Sequence, residues 1–170
     1  MDPNEICLLV DGDLKNWRGL GRLERAHLPS CVGSRVGQGT ARFRLMLLAV
    51  DTYRAPDREA ELSVYSAIND GGIELVDVKP SSAPAAAVLL GELGAPAATH
   101  VYSADERAAA NLPVPQGGTI EEAIYADHGL AIMVARAPSG GAVVARIRGF
   151  KPMPAKHYLD QYVRFEPEAL

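Results

Sequence analysis

The chain has 170 residues, a formal net charge of −4, 48% hydrophobic residues and 22% charged residues. These values are ordinary for one soluble domain with a buried core, and no run of about 18 apolar residues is present that would cross a membrane. We therefore expect a soluble protein with no membrane partner. Residues 1–150 would form a single α/β domain, and residues 151–170 a tail that packs on this domain or on a partner subunit.

The first predicted element is a buried strand, ICLLV, at residues 6–10, because a short apolar run ends in the turn residues Asp-Gly-Asp. Apolar residues then recur at about every third position from 14 to 28, which predicts a helix with Asp13 as its N-cap. FRLMLLAV at residues 43–50 is apolar almost throughout and ends at Asp51. This run predicts a second strand in the centre of the sheet.

Helices and strands alternate through the next part of the chain. Proline or capping residues mark where each helix begins, and glycine or asparagine marks where it ends. The predicted elements are a helix at 56–68, a strand at 73–78, a helix at 83–93, a strand at 99–103 and a short helix that opens at 103.

The last third of the chain contains an irregular loop, a helix and a hairpin. The loop covers residues 111–118, and the capping-box sequence Thr-Ile-Glu-Glu predicts a helix from Thr119 to about residue 127. Two apolar runs at 130–136 and 142–148 flank Pro-Ser-Gly-Gly, which is typical of a β-hairpin. The complete order predicts an α/β fold: a largely parallel sheet with flanking helices and a C-terminal antiparallel hairpin.

Charge is divided unevenly along the chain. Residues 15–50 carry seven basic residues and one acidic residue, while residues 51–128 carry four basic and thirteen acidic residues. Such a division fits the steering of an anionic ligand, and it equally fits complementary faces within the fold or between copies of the chain. The acidic balance of the whole chain disfavours nucleic acid as a partner.

Three carboxylates are predicted at the ends of the first two strands, where α/β sheets bind their ligands. We expect Asp11, Asp13 and Asp51 to be catalytic, together with His128 as an acid or base at a helix end. If the protein is a metal enzyme, the same three carboxylates would bind Mg²⁺ or Mn²⁺, which prefer oxygen ligands. The alternative is that they only turn the chain and cap helices.

Two arginines and one glycine-rich loop are candidate contacts for a negative substrate group. Arg35 and Arg44 lie in the basic part of the chain and would pair with this group. Gly117, Gly118 and Thr119 precede a predicted helix, whose N-terminus can bind a carboxylate or phosphate. The simpler alternative is that this helix caps itself, since glutamates in its first turn would repel an anion.

The two cysteines, Cys7 and Cys31, are too few for a disulfide framework, and neither belongs to a Cys-x-x-Cys pair. Cys7 lies in the first predicted strand, so we expect a buried and inert thiol there. This cysteine usage fits a reducing compartment, and we expect the protein to be cytoplasmic.

These patterns together favour an enzyme that acts on a small anionic substrate, a carboxylate or a phosphate, as a hydrolase or a lyase. The apolar hairpin and the aromatic residues of the tail predict that it works as a homo-oligomer. Two alternatives stay open. One is a divalent-metal-dependent phosphohydrolase or nuclease, and the other is a non-catalytic subunit whose charged faces serve assembly.

Overall fold

The computed structural model describes residues 6–43, 46–54, 60–80, 86–109 and 116–163, without the side chains of residues 108 and 109. None of the helices in these ranges is long and apolar enough to cross a membrane. The α-helices found there are α1 (Ile6–Asp11), α2 (Ala86–Leu93), α3 (Ala104–Ala109) and α4 (Ala155–Tyr158).

The described strands form one eight-stranded sheet in which every neighbouring pair is antiparallel. Its order is β1-β2-β3-β4-β8-β7-β6-β5, so two four-stranded meanders meet where β4 pairs with β8. The predicted α/β fold with a largely parallel sheet is therefore wrong. The strands are β1 (Ser34–Phe43), β2 (Met46–Arg54), β3 (Glu61–Ala67), β4 (Ile73–Lys79), β5 (Ala98–Val101), β6 (Thr119–Tyr125), β7 (Leu130–Arg136) and β8 (Ala142–Phe150).

The predicted helix from Thr119 is strand β6, because pairing with neighbouring strands outweighs its capping-box sequence. Ile120, Glu122 and Ile124 are all fully buried at every second position, which is the period of a strand. β6 pairs with β5 on one side and β7 on the other. Strand β3 likewise lies within the predicted helix 56–68, and its buried and half-buried residues alternate.

Local signals predicted several other elements correctly. β7 and β8 form the expected C-terminal antiparallel hairpin, with Met133 opposite Arg146 in the register. The predicted helix at 83–93 is found as α2, and the predicted strands at 73–78 and 99–103 are found as β4 and β5.

The predicted first strand is helix α1, because its two buried residues, Ile6 and Leu9, are three positions apart. The chain after α1 makes short 3-10 turns in place of the predicted long helix. There the buried indole N–H of Trp17 donates a hydrogen bond to the carbonyl oxygen of Gly129, at 3.0 Å. These contacts hold the N-terminal segment against the turn between β6 and β7.

Each face of the sheet is covered by a different end of the chain. The face that we call the N-terminal face packs against α1 and the segment around Trp17. The other face, the C-terminal face, packs against residues 155–163, where Tyr158 is fully buried. Both faces of β7 are buried inside this one chain. The homo-oligomer stays a prediction.

The two cysteines form a disulfide that links α1 to the 3-10 turn Ser30–Val32. The prediction of a free, inert thiol at Cys7 is therefore wrong. The disulfide depends on tertiary structure. Cys7 and Cys31 are 24 positions apart in the sequence, and only the packing of α1 beside this turn brings them together.

Gly129 is a position where the fold requires glycine. It adopts a φ of 61°, and a Cβ atom added there would overlap the carbonyl oxygen of Phe150. We expect Gly129→Ala to lower the free energy of unfolding by more than about 1 kcal/mol in urea denaturation. Gly140→Ala is the matched control, because Gly140 also has a positive φ but open space around it. Equal losses in the two variants would contradict the role of the clash.

Candidate functional site

The three predicted catalytic carboxylates lie in different parts of the fold. Asp11 ends helix α1, so it does not end a strand next to that of Asp51, which lies inside β2. Asp13 precedes a 3-10 turn and accepts hydrogen bonds from the side chain of Asn16 at 3.0 and 3.1 Å. Among the described residues, no group of three His, Cys, Asp or Glu side chains could hold a metal ion. This donor set does not fit the predicted Mg²⁺ or Mn²⁺.

His128 lies far from the predicted catalytic residue Asp51. It belongs to the 3-10 turn between β6 and β7, and its Nε2 is 4.0 Å from the carboxylate of Asp127. Asp51 lies in β2, and four strand spacings of about 4.8 Å separate β2 from β7 in the sheet. The structure therefore does not bring His128 and Asp51 together.

The predicted substrate-binding residues also separate into groups. Gly117 and Gly118 precede a strand, and Thr119 is the first residue of β6, opposite Arg136. No helix begins there, so the helix N-terminus on which this anion site depended does not exist. Arg44 lies outside the described residues.

Arg35 and Asp51 are the two predicted site residues that the structure does bring together. The Nη1 atom of Arg35 lies 3.7 Å from a carboxylate oxygen of Asp51. Strands β1 and β2 place Arg35 opposite Tyr53 and Gln38 opposite Asp51, with an irregularity in the register after Arg35. A cavity of about 390 Å³, which we call the arginine pocket, lies at this position. Its lining residues are Arg25, Ala26, Arg35, Gln38, Asp51 and Tyr53.

The loop between β3 and β4 positions the second arginine of this pocket. The backbone N–H of Arg25 donates to the carbonyl oxygen of Gly71 at 3.0 Å, and the neighbouring Glu24 forms a β-bridge with Gly72. The side chain of Arg25 passes close to Gly71, where a Cβ atom would lie 3.5 Å from it. The sequence did not indicate Arg25 as a site residue, because the β3–β4 loop that holds it follows more than 40 positions later in the chain.

The charges of the arginine pocket act on one another. Asp51 is almost completely buried, whereas more than half of the Arg35 side chain is exposed. Burial raises the pKa of Tyr53, and the charge of Asp51 raises it further, while Arg35 and Arg25 lower it. In the described part of the chain, the side-chain donors of Arg25, Gln38 and Tyr53 have no hydrogen-bond acceptor. The pocket thus offers several donors to a ligand and contains one carboxylate.

A second polar arrangement lies on the C-terminal face and was not predicted. Arg148 donates two hydrogen bonds to the carboxylate of Asp77, at 2.6 and 2.9 Å. Arg146 and Tyr158 donate to the carboxylate of Glu122, at 2.7 and 2.8 Å. We call these five residues the buried charge network. In AVVARIR, Arg146 and Arg148 stand two positions apart beside apolar residues, and this alternation is the sequence signal that could have revealed a polar face.

Every tyrosine of the chain has a raised pKa, because each is at least partly buried. Burial, followed by the negative charge of Asp77, raises the pKa of Tyr65 to about 12. Burial raises that of Tyr162 to about 12 as well.

We expect alkaline titration of the folded protein, followed by tyrosinate absorbance, to show less ionisation near pH 10 than the unfolded chain, which titrates there. The sign follows from the raised pKa values: the folded state keeps its phenolic protons at a pH where the unfolded state loses them, so stability falls as pH rises above about 10. Circular dichroism of the same samples shows where the fold is intact. A tyrosine of the folded protein that ionises at or below pH 10 would contradict this expectation.

Comparison of the chain with protein-family models, with curated proteins and with solved structures finds no match.

Proposed function

We propose that the chain binds a small molecule with a carboxylate or phosphate group in the arginine pocket. The observation that supports the proposal is the convergence of Arg25 and Arg35 on one cavity that has a single carboxylate, Asp51, in its lining. Two guanidinium groups against one carboxylate leave a positive charge that an anionic ligand would neutralise.

The pairing inside the pocket leaves Arg35 available to a ligand. Its distance of 3.7 Å from Asp51 exceeds that of a hydrogen bond, so its N–H groups are not committed to this carboxylate. A carboxylate or phosphate can accept two parallel hydrogen bonds from one guanidinium. Gln38 and Tyr53 would donate to the remaining polar atoms of the ligand.

The reaction that we propose for this site is hydrolysis or elimination, with Asp51 as the acid or base. Asp51 is the carboxylate of the pocket lining, and its burial beside Arg35 would hold it close to a bound substrate. A binding protein without catalysis is the alternative. Turnover by the wild type that Asp51→Asn abolishes, with binding retained, would support the enzyme.

Arg35→Ala is expected to weaken the binding of inorganic phosphate or acetate by about 10- to 100-fold in isothermal titration calorimetry. The reason is that a hydrogen bond to a charged group contributes about 1.5–3 kcal/mol. Arg25→Ala should act in the same direction, since Arg25 lines the same cavity.

Arg54→Ala is the matched control. It removes the same charge from the adjacent strand β2, where neighbouring residues point to opposite faces, so Arg54 and the pocket residue Tyr53 lie on different sides of the sheet. If Arg54→Ala weakens binding as much as Arg35→Ala, the effect is one of general charge and the proposed site is wrong. The absence of any saturable binding by the wild type would also refute it.

A further inference from the structure

A second cavity opens on the C-terminal face, beside the buried charge network. It spans strands β3, β4, β7 and β8 and has a volume of about 230 Å³. This is smaller than the roughly 300–1,000 Å³ of sites for drug-sized ligands, so its ligand would be small. We call it the sheet pocket, and its charged and hydroxyl-bearing lining includes Glu61, Ser63, Asp77, Lys79 and Arg146.

Two opposite charges of the sheet pocket do not pair. Glu61 and Lys79 lie directly opposite each other in the register of β3 and β4. Oppositely charged residues at such positions normally attract. Yet in the described part of the chain they form no ion pair with each other or with another residue. One acceptor and one donor at the same pocket are thus left available to a ligand.

The inner wall of the sheet pocket also has unused hydrogen-bonding capacity. Arg146 donates to Glu122 through Nη2, at 2.7 Å, while its Nη1 is 3.8 Å from Asp77, beyond hydrogen-bond distance. Its Nε–H is buried and has no acceptor among the described residues. Because an unsatisfied buried donor is costly, Arg146 would gain from an added acceptor. Asp77 already accepts two hydrogen bonds from Arg148.

We propose that the sheet pocket binds a small zwitterion of the α-amino acid class. Its carboxylate would pair with Lys79 and Arg146, and its ammonium group with Glu61. An aliphatic side chain would contact Met133 and Ala145, which complete the lining together with Tyr65. This proposal is independent of the arginine pocket. Asp51 of that pocket lies opposite Val64, a residue of the core on the N-terminal face, whereas Ser63 of the sheet pocket points to the other side.

The test uses L-valine and two analogues that each lack one charge: isovalerate, without the ammonium group, and isobutylamine, without the carboxylate. In isothermal titration calorimetry with the intact chain, we expect saturable binding of L-valine and binding at least about tenfold weaker for each analogue. Lys79→Met and Glu61→Gln should each weaken L-valine binding by about tenfold or more. Both positions are at least partly exposed, so the variants should fold, which circular dichroism verifies.

Arg35→Ala separates this site from the arginine pocket. We expect it to leave L-valine binding unchanged while it weakens phosphate binding. A loss of L-valine binding in Arg35→Ala would assign the zwitterion to the arginine pocket and overturn the proposal. It is equally overturned if the wild type does not bind L-valine saturably, if either analogue binds as tightly as L-valine, or if Lys79→Met and Glu61→Gln keep wild-type affinity.

Discussion

Replacing Arg148 by methionine is expected to lower the free energy of unfolding by about 3–5 kcal/mol, because it leaves a buried carboxylate without its partner. Arg148 is 3% exposed and Asp77 is 7% exposed, and the pair is joined by two hydrogen bonds. The pair also joins the two meanders, since Arg148 of β8 lies opposite Asp77 of β4. Urea denaturation of the wild type and the variant measures the difference.

The control for this prediction removes both charges. Asp77→Leu combined with Arg148→Met leaves no unpaired ion of this pair, so the double variant should be more stable than Arg148→Met alone. If the loss in free energy of unfolding of the double variant equals the sum of the losses of the two single variants, the pair does not act as a unit. The loss would then have to come from packing alone.

The pH dependence of the same variant gives a second readout. Burial alone would raise the pKa of Asp77, but Arg148 and then Arg146 outweigh burial and bring it below the usual range. The lowered pKa contributes stability above the pKa of the unfolded state, and this contribution is lost as the pH falls through the folded pKa. Without Arg148, the folded state accepts a proton on Asp77 more readily. The difference in free energy of unfolding between the wild type and Arg148→Met should therefore become smaller as the pH falls.

Replacing both cysteines by serine is expected to lower the free energy of unfolding by about 3 kcal/mol. The disulfide closes a loop in which Cys7 and Cys31 are 24 positions apart, and the cross-link removes entropy from the unfolded chain. This loop contains Trp17 and Arg25. Because Arg25 lines the arginine pocket, the disulfide also constrains the segment that carries one of the pocket residues. Denaturant unfolding of the oxidised wild type and the double-serine variant measures the loss.

Reduction provides the control for this prediction. Treatment of the wild type with dithiothreitol should shift its unfolding midpoint to that of the double-serine variant, and the same treatment should leave the variant unchanged. If reduction does not move the wild-type midpoint, the disulfide contributes nothing to stability. A reducing compartment would keep both cysteines in the thiol form and so remove this contribution to stability.

The sequence by itself determined the elements whose partners are close along the chain. The hairpin of β7 and β8 was predictable because two apolar runs flank a proline- and glycine-containing turn, and helix α2 was predictable from its apolar composition between proline and glycine. The sequence also indicated Arg35 for substrate binding and Asp51 for catalysis, and these roles stay predictions. For the hairpin and for α2, the signal lies within one short window of residues.

Only the tertiary structure decided between helix and strand in short segments that fit both. Residues 119–125 carry a capping-box sequence, but β5 and β7 satisfy the hydrogen bonds of this segment as a strand. Residues 6–10 could pass for a strand, but Ile6 and Leu9 pack together on the sheet only as a helix. The free energy of these contacts with distant residues exceeds the small local preferences, and a single sequence does not show which distant segments will meet.

The arginine pocket and the buried charge network both depend on such distant contacts. The arginine pocket combines the β1–β2 register with Arg25, which is held by the β3–β4 loop, and the buried charge network joins Asp77 to Arg148 across 71 positions. The residue types were visible in the sequence, since each is a charged side chain in an otherwise apolar or turn-rich stretch. Their pairing was not visible, because it depends on which strands lie next to each other. The order of the strands is set by the burial of both faces of the complete sheet, and the sequence of one strand does not contain this information.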